Sequence, residues 1–388
     1  MQITDVTAIP INVPLEPIAA GGIAPYRTNH SELHDVDRIL VRVETDEGVT
    51  GWGEVRAFLS PEATVSVIED GVGPLVIGQS PYEVEKLRRQ VFVEYTNPNM
   101  FFAPVETACW DVVGKALDKP VYELLGGWTA PQQTSMKNRE HAGADTSRDS
   151  SEEFAYCLGI FPPEESRTYA REALDRGYSV LKTKAGRDWE TDVERIRAMD
   201  DEVDGDLEFR LDPNQGWTTE DALRVCARLS DSGVYLQYVE QPIRIDAHGS
   251  LEKLRARTTQ PIAANEDTYP PRNLRQVIQA GAIDVAVVDL TPAGGISGIR
   301  QLAAIAEDAG VSLAHHCAFD LGIRTAAILH TVHGVPGFNL PSDTTYYGWE
   351  GDVIEDPFEI RNGSIDVPSG PGLGVSVDLD AVEVYRTT

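Results

Sequence analysis

The sequence predicts an α/β protein: a (β/α)8-type barrel preceded by an α+β capping domain that the C-terminal segment completes. Three observations carry this. Between residues 153 and 349, apolar β-branched strands alternate with amphipathic helices through eight repeats, the pattern of a parallel sheet built from crossover units. Residues 1–127 instead show half-buried strands followed by helices, and residues 350–388 return to strands and turns.

The first elements are ITDVTAIPINVPL and DRILVRVETDEGVTGWGEV, which alternate with a period of two and share a turn at Asp46-Glu47-Gly48. Helical patterns follow at SPEATVSVIEDGVGPLV, SPYEVEKLRRQVF and PVETACWDVVGKAL, two of them opened by Ser-Pro, an N-cap with proline in the first turn. Residues 128–152 are polar and without period, which predicts an exposed insertion or loop. The barrel strands read as FAYCLG, YSVLKTK, LEFRLD, VYLQYVE, PIAANE, IDVAVVD, VSLAHH and FNLPSD, with room for one truncated unit. The tail, FEIRNGSIDVPSGPGLGVSVDLDAVEVY, is expected to fold back on the first domain.

Composition narrows the function classes. No stretch approaches 18 apolar residues, and the N-terminus lacks a basic region followed by an apolar one, so neither a membrane span nor a signal peptide is expected. Four scattered cysteines show no CxxC spacing, which predicts a reduced, cytoplasmic protein without zinc. Sixty-two acids against 33 bases give a net charge of −29, which repels nucleic acid and anionic lipid. The acids are spread along the chain, as on a halophilic surface adapted to high salt; the competing reading is an acidic ligand-binding face.

The chemistry sits at the C-terminal ends of the strands, where such barrels build their sites. Those ends supply Lys182 and Lys184, then Asp212, Glu240, Glu266, Asp289 and His316, at intervals of 28, 28, 26, 23 and 27 residues from Lys184 onward. Each strand is apolar until it ends in an ionisable group. Asp212, Glu240 and Glu266 are three hard oxygen ligands from adjacent strands; so close together they would repel unless a cation sat among them, and oxygen-only ligation suits Mg²⁺. A helix N-cap is the plainer role for an aspartate such as Asp212 but a poor one for glutamate.

Lysine is rare here, 7 in 388 residues, yet Lys182 and Lys184 stand two apart in one strand and so face the same way, inward. Their proximity to each other and to a metal is expected to depress their pKa values, leaving Lys182 to hold charge and Lys184 to move a proton. His315 and His316 point oppositely; His316, one unit on from Asp289, is the candidate second acid/base with Asp289 as its partner.

These motifs resemble the enolase superfamily, on its mandelate racemase and glucarate dehydratase side. The resemblance rests on VLKTKAG, LDPNQGW, VEQP, PIAANE, VVDLTPAGGIS and LAHHC in order, with GWGE and ACWDVVGKALDKPVYELLGG before them, and spans nearly the whole chain. The tail DPFEIRNGSIDVPSGPGLGVSVD is similar to that of acid-sugar dehydratases. The resemblance implies an Mg²⁺-dependent enzyme in which metal and lysine hold a substrate carboxylate, a base takes the α-proton and the metal holds the enolate. A sugar-acid dehydratase acting on an aldonate or aldarate is the expected outcome, with a racemase or epimerase of a 2-substituted carboxylic acid as the alternative. It also implies Asn265 as an alternative third ligand, because glucarate dehydratases use asparagine there. Strand eight, LPSDTTYY, offers Ser342 and Asp343 but no glutamate of the mandelate racemase kind. Tyr26, Arg27 and His30 in the cap, with Asn214, Asn265 and Asp343, are the substrate-contact candidates, and a homo-oligomer is the expected assembly.

Overall fold

The computed structural model describes residues 1–127, 150–269 and 271–387, so nearly all of the polar run 128–152 lies outside the described residues. In the first domain β1 (Ile3–Pro14), β4 (Asp35–Thr45) and β5 (Thr50–Arg56) form an antiparallel sheet in that order, and β2 (Tyr26–Arg27) pairs β3 (Glu32–Leu33) in a small ribbon. The Asp46–Gly48 turn falls between β4 and β5, with Gly48 at φ +76°. The long helix Asn99–Leu117 lies directly on β5. This close approach accounts for the glycines of GWGE: a Cβ on Gly51 would meet Ala108 O at 2.1 Å, and one on Gly53 would meet Pro104 O at 1.9 Å. That helix begins five residues before Pro104, the start its sequence pattern suggests. Proline forfeits one backbone hydrogen bond there, while the added turn buries Asn99 and Phe102.

Eight parallel strands follow: β6 (Ser151–Leu158), β7 (Val180–Lys184), β8 (Glu208–Asp212), β9 (Tyr238–Glu240), β10 (Ile262–Ala264), β11 (Val285–Val288), β12 (Ser312–His315) and β13 (Ser342–Thr344). They pair in the order β12-β11-β10-β9-β8-β7-β6-β13. The barrel closes where Asn339 and Leu340 donate to Leu313 O. Seven strands are followed by helices; the eighth gives way to a 3-10 turn, Tyr346–Gly348, so the last unit is the truncated one. The C-terminal segment touches both domains. Its strand β14 (Ser364–Asp366) pairs antiparallel with β6, Leu373 N donates to Asp111 in the cap helix, and Arg386 bridges Ile11 of β1.

Three buried carboxylates of the cap fasten it to the rest. Glu54 accepts from Leu321 N (2.9 Å) and Arg324 N (2.8 Å), capping the barrel helix Gly322–Gly334. Glu106 accepts from Ile296 N and Ser297 N, capping the helix Ile296–Ala309. Asp111 takes Trp52 N, Leu373 N and the Lys115 ammonium. Carboxylates at helix N-termini satisfy orphan N–H groups and oppose the helix dipole favourably. The final acid of GWGE is therefore a docking residue.

Candidate active site

The strand ends converge beneath the cap. Lys182, 2% exposed, is surrounded by carboxylates: Nζ lies 2.7 Å from Asp343 Oδ2, 2.7 Å from Glu240 Oε2 and 3.2 Å from Asp212 Oδ2. Lys184 reaches Asp212 Oδ2 at 2.5 Å and opens onto the cavity above. The lysine pair does face inward, and among the protein's own groups the carboxylates dominate its pKa values. Burial disfavours both charges, yet Asp343, Glu240 and Asp212 hold Lys182 well above the ordinary range, and Asp212 raises Lys184. Carboxylates outnumber the lysines, so mutual repulsion between ammoniums loses.

The acids divide. Asp212, held by both lysines, stays below the usual carboxylate range despite its burial. Glu240 is pushed up to about 7, by burial first and then by Asp212, with Asp343 adding to it. Its Oε2 touches Lys182 without hydrogen-bond alignment, and Oε1 has no partner at all. Glu266 takes Gln215 Nε2 on Oε1 (2.9 Å) and leaves Oε2 without a donor. Asn265 donates through Nδ2 to Val287 O and Tyr269 Oη, which fixes its orientation and leaves Oδ1 free. Glu266, as a carboxylate, is the stronger donor of the two.

Asp212, Glu240 and Glu266 do not gather on one point, since Lys182 stands between the first two; among the described residues Glu240, His316 and Asp343 form one close group and Asp246, His248 and Asp267 another. The donor set nevertheless fits a hard divalent cation. Lys182, Lys184 and Arg210 face Asp212, Glu240, Glu266 and Asp343, one positive charge short, and three buried carboxylate oxygens lack donors.

The second proton group is complete. His316 Nδ1 lies 3.0 Å from Asp289 Oδ2, and Asp289 Oδ1 accepts from Arg324 at 2.6 Å and Thr291 N at 2.8 Å. Burial works against the imidazolium, but Asp289 outweighs it and His316 is raised to about 9. Asp289 itself is held well below the ordinary range by Arg324 and His316. His315 is different: buried between Leu290 N and His316 O, it is depressed to about 4 and stays neutral. β7 and β12 are separated by β13 and β6 on one side and by four strands on the other, so Lys184 and His316 reach the cavity from different sides.

The cavity, about 510 Å³, is lined by Lys182, Lys184, Glu266, Asp289 and His316 below and by the cap above. Tyr26, His30, Asn214 and Asn265 line it as well. Arg27 does not; it pairs Glu32 and lies over the Phe161 ring. Asp343 lies under the floor, spent on Lys182 and on Arg210 NH1 at 2.8 Å, which is a counter-ion's place and not a substrate contact. Two buried arginines went unremarked in the sequence. Arg210 stands two before Asp212 and so shares its inward face, and Arg324 is the lone charge early in an apolar helix.

A capped parallel barrel with ionisable groups gathered at its strand ends has the form of an enzyme active site. The chain belongs to the mandelate racemase/muconate lactonizing enzyme family of the enolase superfamily: residues 18–126 match its N-terminal domain and residues 165–381 match the enolase C-terminal domain-like family. It is 28% identical to the L-Ala-D/L-Glu epimerase of Bacillus subtilis over 94% of this chain and 96% of the relative. It is 27% identical to the D-xylonate dehydratase of Haloferax volcanii over 89% and 85%. Among solved structures, the N-succinyl Arg/Lys racemase of Bacillus cereus superposes with a TM-score of 0.89 at 26% identity, covering 100% of this chain and 99% of that one. The relatives thus include both lyases and isomerases.

Proposed function

We propose that the protein is an Mg²⁺-dependent dehydratase of a sugar acid. The observation that carries this reading is His316, an imidazolium at neutral pH that lines the cavity and is locked by Asp289. A group with a pKa of about 9 is suited to giving a proton to a departing hydroxyl. Hydroxyl and amide side chains in the same wall, Thr28, Ser31, Asn97 and Asn214 among them, suit a polyol.

Asp212, Glu240 and Glu266 would hold the Mg²⁺, which when bound supplies positive charge to the substrate carboxylate and to the enolate formed from it. Lys182 is a fixed ammonium beneath that carboxylate. Lys184 opens onto the cavity beside Asp212, whose charge a bound cation would share, and would serve as the base. It then takes the α-proton, and the C–H electron pair moves into the enolate. His316 protonates the β-hydroxyl, the C–O bond breaks, water leaves, and the enol settles as a 2-keto-3-deoxy acid.

The test is a screen of aldonic and aldaric acids with Mg²⁺ at high salt, reading 2-keto-acid formation. The expected result is a hit that disappears in Lys184→Ala and His316→Asn. Deuterium entering the α-carbon of another carboxylic acid without loss of water would replace the dehydratase by an epimerase.

A further inference from the structure

Arg56 ends strand β5 of the cap and lines the cavity that holds Lys182, Lys184 and His316. Its guanidinium lies over Phe319, 5.9 Å from the ring centroid. Every other cation around the site has an acid. Lys182 and Lys184 take Asp212, Arg210 takes Asp343, and Arg324 takes Asp289 and Asp320. The cross-strand neighbour of Arg56 is Arg38, a like charge already spent on Glu54 and Asp320. Among the described residues Arg56 makes neither an ion pair nor a hydrogen bond, and Asp37 acts on it only through space, less strongly than burial and Arg38 act against it.

An arginine partly withdrawn from water, beside a like charge and with no acceptor in contact, keeps its donors free for an anion that enters the cavity. The cavity gives that anion a place. The lysines lie at the barrel floor and Arg56 on the cap side, and about 510 Å³ is far more than one carboxylate fills. We propose that Arg56 is a subsite for a second anionic group at the far end of the substrate, so that the substrate class is a dicarboxylate, an aldarate in preference to an aldonate. A guanidinium suits this role through its planar fork of donors, which matches a carboxylate two bonds at a time. The inference rests on the reading above only in placing the reacting carboxylate at the lysine end.

The experiment compares C5 and C6 aldarates with aldonates of matched stereochemistry, with Mg²⁺, on the wild type, Arg56→Gln and Arg56→Lys. The wild type is expected to favour the dicarboxylate in kcat/KM by about 10-fold or more, the scale of one charge-assisted contact. Arg56→Gln should collapse that ratio mainly through KM, and Arg56→Lys should restore part of it. A wild-type ratio near one, or a ratio that Arg56→Gln leaves unchanged, overturns the proposal. Should no sugar acid react, the dehydratase reading fails alone, and calorimetry then decides Arg56 with simple α,ω-dicarboxylates against monocarboxylates. A dicarboxylate preference lost in Arg56→Gln supports the subsite; no preference in the wild type overturns it.

Discussion

Two clusters of buried charge lie a few residues apart in this molecule and are built to opposite rules. At the seam between cap and barrel, Arg38, Glu54, Asp320, Arg324 and Asp289 form a continuous chain of pairs ending on His316. Glu54 also takes two backbone N–H groups, and Asp289 takes one. At the barrel floor, Lys182 serves three carboxylates at once, Glu240 is pushed up to about 7, and donor-less oxygens remain on Glu240 and Glu266. Buried ion pairs hold a structure when each partner is also hydrogen-bonded; a cluster left short of donors is poised to take a ligand. The seam fixes geometry and the floor awaits charge.

This contrast predicts opposite responses to mutation. The largest effect is expected at the floor: Lys184→Ala should lower turnover by roughly 10³-fold, within the range for loss of a proton-transfer group. Its melting temperature should stay close to that of the wild type, since the Asp212 it leaves still has Lys182. At the seam the order reverses. Glu106→Ala exposes no reacting group but strips the buried N-terminus of the helix Ile296–Ala309, and should cost roughly 2–4 kcal/mol in denaturant unfolding. Comparable stability loss in Lys184→Ala would erase the distinction.

Magnesium sharpens it further. Saturation at about 100 times Kd should stabilise the wild type and Glu106→Ala alike by about 2.7 kcal/mol in a thermal or denaturant assay. Glu240→Gln should lose that gain while being no less stable than the wild type without metal, because it removes a repelled carboxylate. A magnesium gain that survives in Glu240→Gln would take the floor acids out of the metal reading.

An effect of similar size but confined to acid concerns pH. His330, buried in the helix Gly322–Gly334 and stacked on Tyr122 of the cap, is depressed by burial to about 4. Above pH 6.5 it is neutral in both folded and unfolded chains and costs nothing. As pH falls from 6.5 to 4, only the unfolded chain takes the proton, so stability drops, by up to about 3 kcal/mol, and the loss levels off below. Urea titrations at pH 7 and pH 4.5 should show this term shrinking in His330→Phe.

The two clusters also differ in how legible they are. The floor could be read from the sequence because successive strand ends carry ionisable residues: Lys182, Lys184, Glu266, Asp289 and His316 line one cavity, and Asp212 and Glu240 meet Lys182 at its floor. The seam could not. Glu54 caps a helix 267 residues away and Glu106 one 190 away, and no local pattern says which helix end will dock above which strand. Lys184 shows the limit within the floor itself: its direction followed from strand period, while its charge depended on counting carboxylates that only folding assembles. Asp343 was visible as a residue, but Arg210 and Lys182 decide what it does.

In the proposed function the floor removes an α-proton with Lys184 and relies on a cation among its acids. Nuclear magnetic resonance of a turned-over sugar acid in deuterium oxide, with Mg²⁺ and then with a chelator, tests it directly. The expected result is product formation with loss of the substrate α-hydrogen, abolished by chelation and by Lys184→Ala. Turnover that persists with the chelator, or in Lys184→Ala, would contradict it.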